Sequence, residues 1–396
     1  MGKIKNIICS SACCRFVLAA LTCCIWIITY AQSRDRYEFY KDFPVYADSL
    51  LAQLDYPLAW GNCNVTDFSQ WKSIARQKVK ECMMAPPPVA ESYDFKIIGE
   101  EKRDGYTARK IEFNLSKFYR VRAYMLIPDG KGPFPAVNLL HDHGAHLYIG
   151  KEKMIKPFAD DSLVIADADK WVSDLYGGQY FGDYLARNGY VVFSTDAPMW
   201  GERGRKEGVD RKMYDVIAGN MMMYGRNLCA FMTYDDIATT DFMATLPEID
   251  SSRIGCVGFS MGAYRAWMLS ALSDRIKTCA SVCWMTTTDT QMTWKFGRKE
   301  SGGFANCIPG LRQYLDYPHI AGIACPKPTL FINGTKDKLF MVPGVKKAFK
   351  IMHDIWNSQG AGDNLCTELW PIPHSCGVKV QERVLEFLNQ HLAGTK

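Results

Sequence analysis

Gly258-Phe259-Ser260-Met261-Gly262 is the stretch on which the fold reading turns. It has the form G-x-S-x-G, and its flanks give that form a meaning. Ahead of it, Ser252-Arg253-Ile254-Gly255-Cys256-Val257 is a short apolar run that predicts a buried strand. After it, Ala263 to Leu272 combines good helix formers with a helical apolar period. Strand, sharp turn, helix is the setting in which a serine stands on a strained turn and acts as a nucleophile. Glycines two before and two after the serine leave room for that turn and for close strand–helix approach. The plainer reading is a structural turn that happens to hold a serine. The flanks, rather than the five residues, favour the nucleophile.

A serine hydroxyl attacks well only when a base takes its proton. Strand-borne serines of this kind find their partners later in the chain, in the order Ser, Asp or Glu, His. Pro328 to Gly334 reads as another buried strand, and Asp337 follows in the loop at its carboxyl end. Thr367 to Pro373 reads as a last short strand region, followed by His374. His374 is the expected base. Asp337 is expected to hold its tautomer and stabilise the imidazolium. A solvated turn aspartate and a stray loop histidine are the plain alternatives. Shared order and shared position at strand ends speak against both.

Catalysis of this type also needs two backbone N–H groups to hold the oxyanion. Met261, next after the nucleophile, offers one. The other is expected from the loop His141-Asp142-His143-Gly144-Ala145-His146 after the strand Pro135 to Leu140, with Ala145 first and Gly144 second. The same loop spells H-x-H-x-x-H, which is a competing transition-metal reading. No H-E-x-x-H and no paired C-x-x-C accompanies it, and the serine constellation already accounts for hydrolysis. No metal and no cofactor is therefore expected.

The rest of the chain fits around these points. Residues 33–92 read as a helical extension, with amphipathic stretches at Tyr46 to Leu54 and Phe68 to Met84, closed by Pro86-Pro87-Pro88. Tyr106 to Phe113 and Val121 to Ile127 alternate like antiparallel strands. Tyr190 to Thr195 and Ile276 to Trp284 read as central strands, Arg211 to Thr245 as one long Met-rich helical stretch, and Val378 to Leu392 as a closing amphipathic helix. Strands alternating with helices predict an α/β class with a mainly parallel, doubly wound sheet flanked by helices. The expected organisation is a signal peptide at 1–31, a helical extension at 32–92 and a catalytic domain at 93–396.

Taken together, the Leu139 to Gly144 loop, the Gly150-Lys151-Glu152-Lys153 tract, the segment Asp196-Ala197-Pro198-Met199-Trp200-Gly201-Glu202-Arg203-Gly204 and the G-F-S-M-G elbow resemble a bacterial branch of the α/β-hydrolase superfamily. That branch is the dienelactone-hydrolase-like or acetyl-xylan-esterase-like one, and the resemblance covers about residues 95–395. Within it the chain is most similar to secreted carbohydrate esterases of gut Bacteroidetes, including the α/β-hydrolase pectin methylesterases (carbohydrate esterase family nineteen). The elbow is common to the superfamily. The H-D-H-G loop and the W-G-E-R-G segment are more specific to the branch. Dienelactone hydrolases proper use a cysteine nucleophile, whereas this elbow carries Ser260, which points to ordinary carboxylic esters. The resemblance implies an α/β-hydrolase fold and a serine esterase acting on polysaccharide or oligosaccharide esters. A methyl ester of galacturonate in pectin is the first substrate it suggests, and an O-acetyl ester the second.

Composition agrees. The 396 residues are 48% hydrophobic and 22% charged, ordinary for a globular protein with one large core. A formal net charge of +5 suits an acidic polysaccharide but is no nucleic-acid signature. The N-terminus carries Lys3 and Lys5, an uncharged run from Phe16 to Tyr30, and Thr29-Tyr30-Ala31 before Gln32. This predicts a cleaved signal peptide and a periplasmic or secreted protein. The run is short for a membrane span, and Cys23 and Cys24 sit poorly in a lipid-attachment box, so an anchor is the weaker reading. Cys256, Cys279 and Cys283 read as small hydrophobes of buried strands, and Cys376 as structural.

Substrate recognition is expected from loops at the carboxyl ends of the strands. Trp200, Arg203, Trp284 and His143 are the candidates, since aromatic faces suit sugar rings and arginine clamps carboxylates. Packing tryptophans and a structural ion pair are the plain alternatives. Two rival functions share these features: a peptidase of prolyl-oligopeptidase type, for which the chain lacks a propeller's length, and a non-catalytic glycan-binding protein on a hydrolase scaffold.

Overall fold

The computed structural model of the chain describes residues 38–40, 43–158, 160–205, 208–292 and 303–393. The signal peptide expected at 1–31 lies outside these residues. Within them, no helix is long and apolar enough to cross a membrane.

The chain forms two compact units. The described part of the first is small: Phe39–Tyr40 pairs antiparallel with Phe43–Pro44, and a five-residue helix follows at Ala47–Leu51. The second begins at Leu54 and holds a nine-stranded sheet. Its first helix, α1 (Phe68–Cys82), is capped by Asp67, whose side chain accepts from the Gln70 amide at 2.6 Å. Trp71, Ala75, Val79 and Met83 recur along one face of this stretch and are buried in the main core. The helix expected to be an accessory extension is thus part of the body, and the compact unit starts well before residue 93.

Three antiparallel strands follow: β1 (Lys96–Arg103), β2 (Tyr106–Ser116) and β3 (Tyr119–Pro128). Alternating burial in β2 fits a sheet margin with one face to the core. Six strands then run parallel: β4 (Phe134–Leu140), β5 (Val191–Thr195), β6 (Ile249–Phe259), β7 (Ile276–Val282), β8 (Thr329–Gly334) and β9 (Leu365–Trp370). The order across the sheet is β9-β8-β7-β6-β4-β5-β3-β2-β1. All residues of β5 and β8 are buried, as strands covered on both faces must be. Their apolar runs are continuous for that reason.

Helices cover both faces. α2 (Ser162–Tyr176), α3 (Phe181–Arg187) and α8 (Val378–His391) contribute to one cluster, together with Val137, Leu139 and Val257 of the sheet. α1, α5 (Leu228–Met243), α6 (Met261–Leu272) and α7 (Val342–Ser358) contribute to the other, with Ala136, Leu140 and Cys256. Adjacent strand residues point to opposite clusters, so the doubly wound reading holds. The helical stretch expected from Arg211 to Thr245 is broken in two. α4 (Arg211–Met223) ends before Gly225, which has φ +76°, and Asn227 restarts the chain by capping α5 through the Ala230 amide at 2.8 Å. β7 stops at Val282, earlier than expected, because Cys283 turns to φ +58°.

Candidate active site

The carboxyl ends of β6, β7, β8 and β9 lie side by side, and the loops that leave them meet. Ser260 follows β6 directly, with φ +56° and ψ −121°. That left-handed backbone costs energy in a non-glycine residue, and its surroundings hold it there. A Cβ on Gly258 would lie 2.0 Å from the Gly262 carbonyl oxygen, and one on Gly262 would lie 1.8 Å from that of Leu140. Both glycines of the elbow are therefore required by close approach. The Ser260 amide donates to the Val282 carbonyl at 2.9 Å, which pins the turn to β7. Met261 opens α6, and a first-turn amide has no intrahelical acceptor.

The acid and base arrive from the next two strands. Thr335 and Lys336 donate backbone bonds to Trp370 and Ile372 at 2.7 and 3.1 Å, so the loops after β8 and β9 stay zipped beyond the sheet. His374 Nε2 lies 2.8 Å from Ser260 Oγ, and its Nδ1 lies 2.7 Å from Asp337 Oδ2. The other Asp337 oxygen accepts the Leu339 amide at 2.8 Å, and the Asp337 side chain is fully buried. The His374 ring sits against Phe259 and Phe340, with ring centroids at 4.9 and 6.2 Å. Sequence reasoning gave neither phenylalanine a contact with the base. Phe340 had a signal, an apolar residue three after Asp337, but nothing in one dimension aims it at the imidazole.

The loop after β4 is arranged differently from expectation. The Ala145 amide donates to His143 Nδ1 at 2.9 Å, so it is engaged within its own loop instead of being presented to an oxyanion. Gly144, with φ +59°, remains from the expected pair. A Cβ there would strike the Trp171 ring at 2.2 Å, which explains the glycine. The three histidines of H-x-H-x-x-H go separate ways. His141 is buried between the Asp142 carbonyl and the Ala197 amide, each 2.9 Å from a ring nitrogen. Burial, with Arg265 and Lys153 nearby, keeps its pKa well below the usual value and the ring neutral. His146 bonds Asp167 and stacks on Trp171. These rings form no ligand set.

Three of the four expected substrate contacts are placed elsewhere. Trp200 is fully buried, and its indole N–H donates to the His143 carbonyl at 3.2 Å. Trp284 is buried among Tyr264, Tyr317 and Phe340. Arg203 pairs with Asp235 at 2.7 Å, donates to the Asp196 carbonyl and lies over the Tyr119 ring. These residues anchor loops. His143 alone of the four is only half-buried, with its ring edge-on to Trp200 and Tyr214.

The Gly150-Lys151-Glu152-Lys153 tract and the W-G-E-R-G segment are joined by an ion cluster in which Lys151, Glu152 and Asp196 are buried and Glu202 reaches the surface. The Lys151 ammonium lies 2.6, 2.9 and 2.8 Å from carboxylate oxygens of Glu152, Asp196 and Glu202. Burial opposes its charge, but the three carboxylates outweigh burial and hold its pKa well above the usual value. The three acids could suggest a cation site, but the ammonium already fills the space between them. Burial also opposes ionisation of Glu202, yet Lys151, Arg122 and Lys110 outweigh it and hold its carboxyl at about 2. A depressed folded pKa gives stability that is present above the unfolded value of about 4.3 and lost as pH falls toward the folded one. Wild type should therefore lose more thermal stability than Glu202→Gln between about pH 4.5 and 2, and should equal it in pH dependence above that window. Parallel melting curves across pH check this; identical curves would place Glu202 outside the cluster.

Comparison with known proteins agrees with this geometry. A sequence model of the Abhydrolase family matches residues 51–359. YtaP of Bacillus subtilis (strain 168), provisionally named a hydrolase, is 29% identical over 264 residues, covering 66% of this chain and 81% of its own. BF1801 of Bacteroides fragilis, provisionally named an acetyl xylan esterase, superposes with a TM-score of 0.65 at 20% identity, over 82% of this chain and 81% of its own. Methylesterase BT1017 superposes at 0.59 with 19% identity, over 86% and 68%. A glucuronoyl esterase from Solibacter usitatus superposes at 0.61 with 12% identity, over 85% and 97%. At these identities the structures speak for the fold, whereas the family match spans most of the chain; with a serine, histidine and aspartate in hydrogen-bonded order, this protein belongs to the Abhydrolase family and is a serine hydrolase of the α/β-hydrolase fold.

Proposed function

We propose that this chain is an exported serine carboxylesterase acting on carbohydrate esters. The observation that carries the esterase chemistry is the Ser260–His374–Asp337 relay, at 2.8 and 2.7 Å. His374 takes the serine proton as Ser260 attacks the ester carbonyl, then returns it to the leaving alcohol. Asp337 fixes the Nδ1–H tautomer. Water, deprotonated by His374, cleaves the acyl-enzyme by the same route. The Met261 amide and one amide of the loop after β4, Gly144 first, would bind the oxyanion. The carbohydrate assignment is supported by the names of the similar structures and by the W-G-E-R-G and H-D-H-G segments. Export is supported by the charged start and apolar run before Gln32.

The methyl ester of a galacturonate unit in pectin is the first substrate of this reading. A second, the O-acetyl ester of a sugar, is favoured by one observation: the Arg203 guanidinium that would clamp a uronate is spent on Asp235. An acetyl substrate puts only a methyl group on the acyl side and needs no such clamp. Release of methanol and of acetate from a panel of plant polysaccharides separates the two. We expect one of the two products in clear excess. Release of neither, by an enzyme that cleaves small chromogenic esters, would overturn the carbohydrate assignment.

A further inference from the structure

We infer that Cys283 is a positioning residue that ties together the three loops carrying Ser260, Asp337 and His374; the inference rests on reading those three as the catalytic relay. Cys283 is the first residue past β7, the strand that lies between the nucleophile strand β6 and the acid strand β8. The dipeptide Val282-Cys283 bonds to the nucleophile elbow, to the strand β8 that leads to Asp337, and to the base loop. The Val282 carbonyl accepts the Ser260 amide at 2.9 Å. The Cys283 amide donates to Ile332 of β8 at 2.7 Å. The Cys283 sulfur lies 3.8 Å from the carbonyl oxygen of Ser375, next to His374. The thiol, an Asp337 carboxylate oxygen and a His374 ring nitrogen all lie within 4.8 Å of one another.

Backbone geometry gives an independent argument. Cys283 has φ +58°, a region where glycine is the easy residue. Such strain persists where the surroundings over-determine it, and it gathers at functional sites. Here a side chain is retained where none would be simpler, and that side chain spans from the end of β7 to the base loop. Covalent chemistry is not its role. Burial, then the charge of Asp337, pushes the thiol pKa up, so no thiolate is available near neutral pH. The thiol acts by holding the Ser375 backbone, and with it the His374 ring, at its distance from Asp337.

The test compares Cys283→Ala and Cys283→Ser with wild type on one chromogenic ester across pH, with Ser260→Ala alongside. Loosening the base loop weakens the Asp337–His374 contact, which favours the imidazolium. The acid limb of the kcat profile should therefore move to lower pH in Cys283→Ala. We expect kcat to fall about tenfold with KM nearly unchanged. Cys283→Ser keeps a donor with a shorter reach and should fall between the two. A stability role alone would lower the melting temperature and leave the limb in place. A folded Cys283→Ala with wild-type kcat and limb overturns the inference. Should that variant not fold, Cys283→Ser decides alone: a displaced limb supports the inference, and wild-type kcat and limb overturn it. An active Ser260→Ala would bring down the relay and this inference together; an inactive one beside an unperturbed Cys283 variant would bring down only this one.

Discussion

Ser260→Ala should fold normally and lose at least about a thousandfold in ester turnover. Alanine keeps the elbow's small Cβ, so neither the turn nor its tie to Val282 need change. What disappears is the hydroxyl oxygen that lies 2.8 Å from His374 Nε2. Without it, His374 can at best activate water directly, at a position no backbone turn holds. Residual activity then comes from the oxyanion donors and substrate binding alone. The comparison is kcat/KM on a chromogenic ester, with far-UV circular dichroism to show the fold. More than about a tenth of wild-type activity in the folded variant would remove Ser260 from the mechanism.

Lys151→Met should cost stability instead of chemistry. The ammonium is fully inaccessible, and so, to within 3%, are the side chains of Glu152 and Asp196. Taking away the cation strands two buried carboxylates, and breaking a buried pair in this way typically costs about 3–5 kcal/mol. Asp196 also accepts the Lys151 and Glu202 amides, at 2.7 and 3.0 Å. Next to it, the Ala197 amide donates to His141. Repulsion between the stranded acids should thus loosen the loops after β4 and β5 as well. Urea unfolding monitored by tryptophan fluorescence measures the cost. A loss below about 1 kcal/mol would mean that the cluster is wetter than its geometry shows.

The relay was legible in the sequence because each member is announced locally. Ser260 has its glycines and flanks, and Asp337 and His374 each follow an apolar strand run in the chain order this fold imposes. Fold class was legible for the same reason, since strands covered on both faces must be continuously apolar. The substrate residues were not. Trp200, Trp284 and Arg203 do follow strand ends, as pocket residues would, but loops over a sheet must also be anchored. Whether an arginine faces substrate or Asp235 depends on a helix that only the folded chain brings near. The role of Ala145 failed on a smaller scale, through a hydrogen bond to His143 that no spacing announces. Helix α1 was read as part of a separate extension because Pro86-Pro87-Pro88 closes that stretch, yet Trp71 and Val79 fill the main core. Cys283 was read as a small strand hydrophobe, and only its backbone turn and the carbonyl beside His374 give it another part.

Covalent trapping tests the central claim most directly. A fluorophosphonate reacts with a serine that a neighbouring base has activated. Intact mass spectrometry should show one adduct per chain, peptide mapping should place it on Ser260, and His374→Ala should slow its formation severely. An adduct on another residue, or an unlabelled enzyme that still hydrolyses esters, would contradict the account.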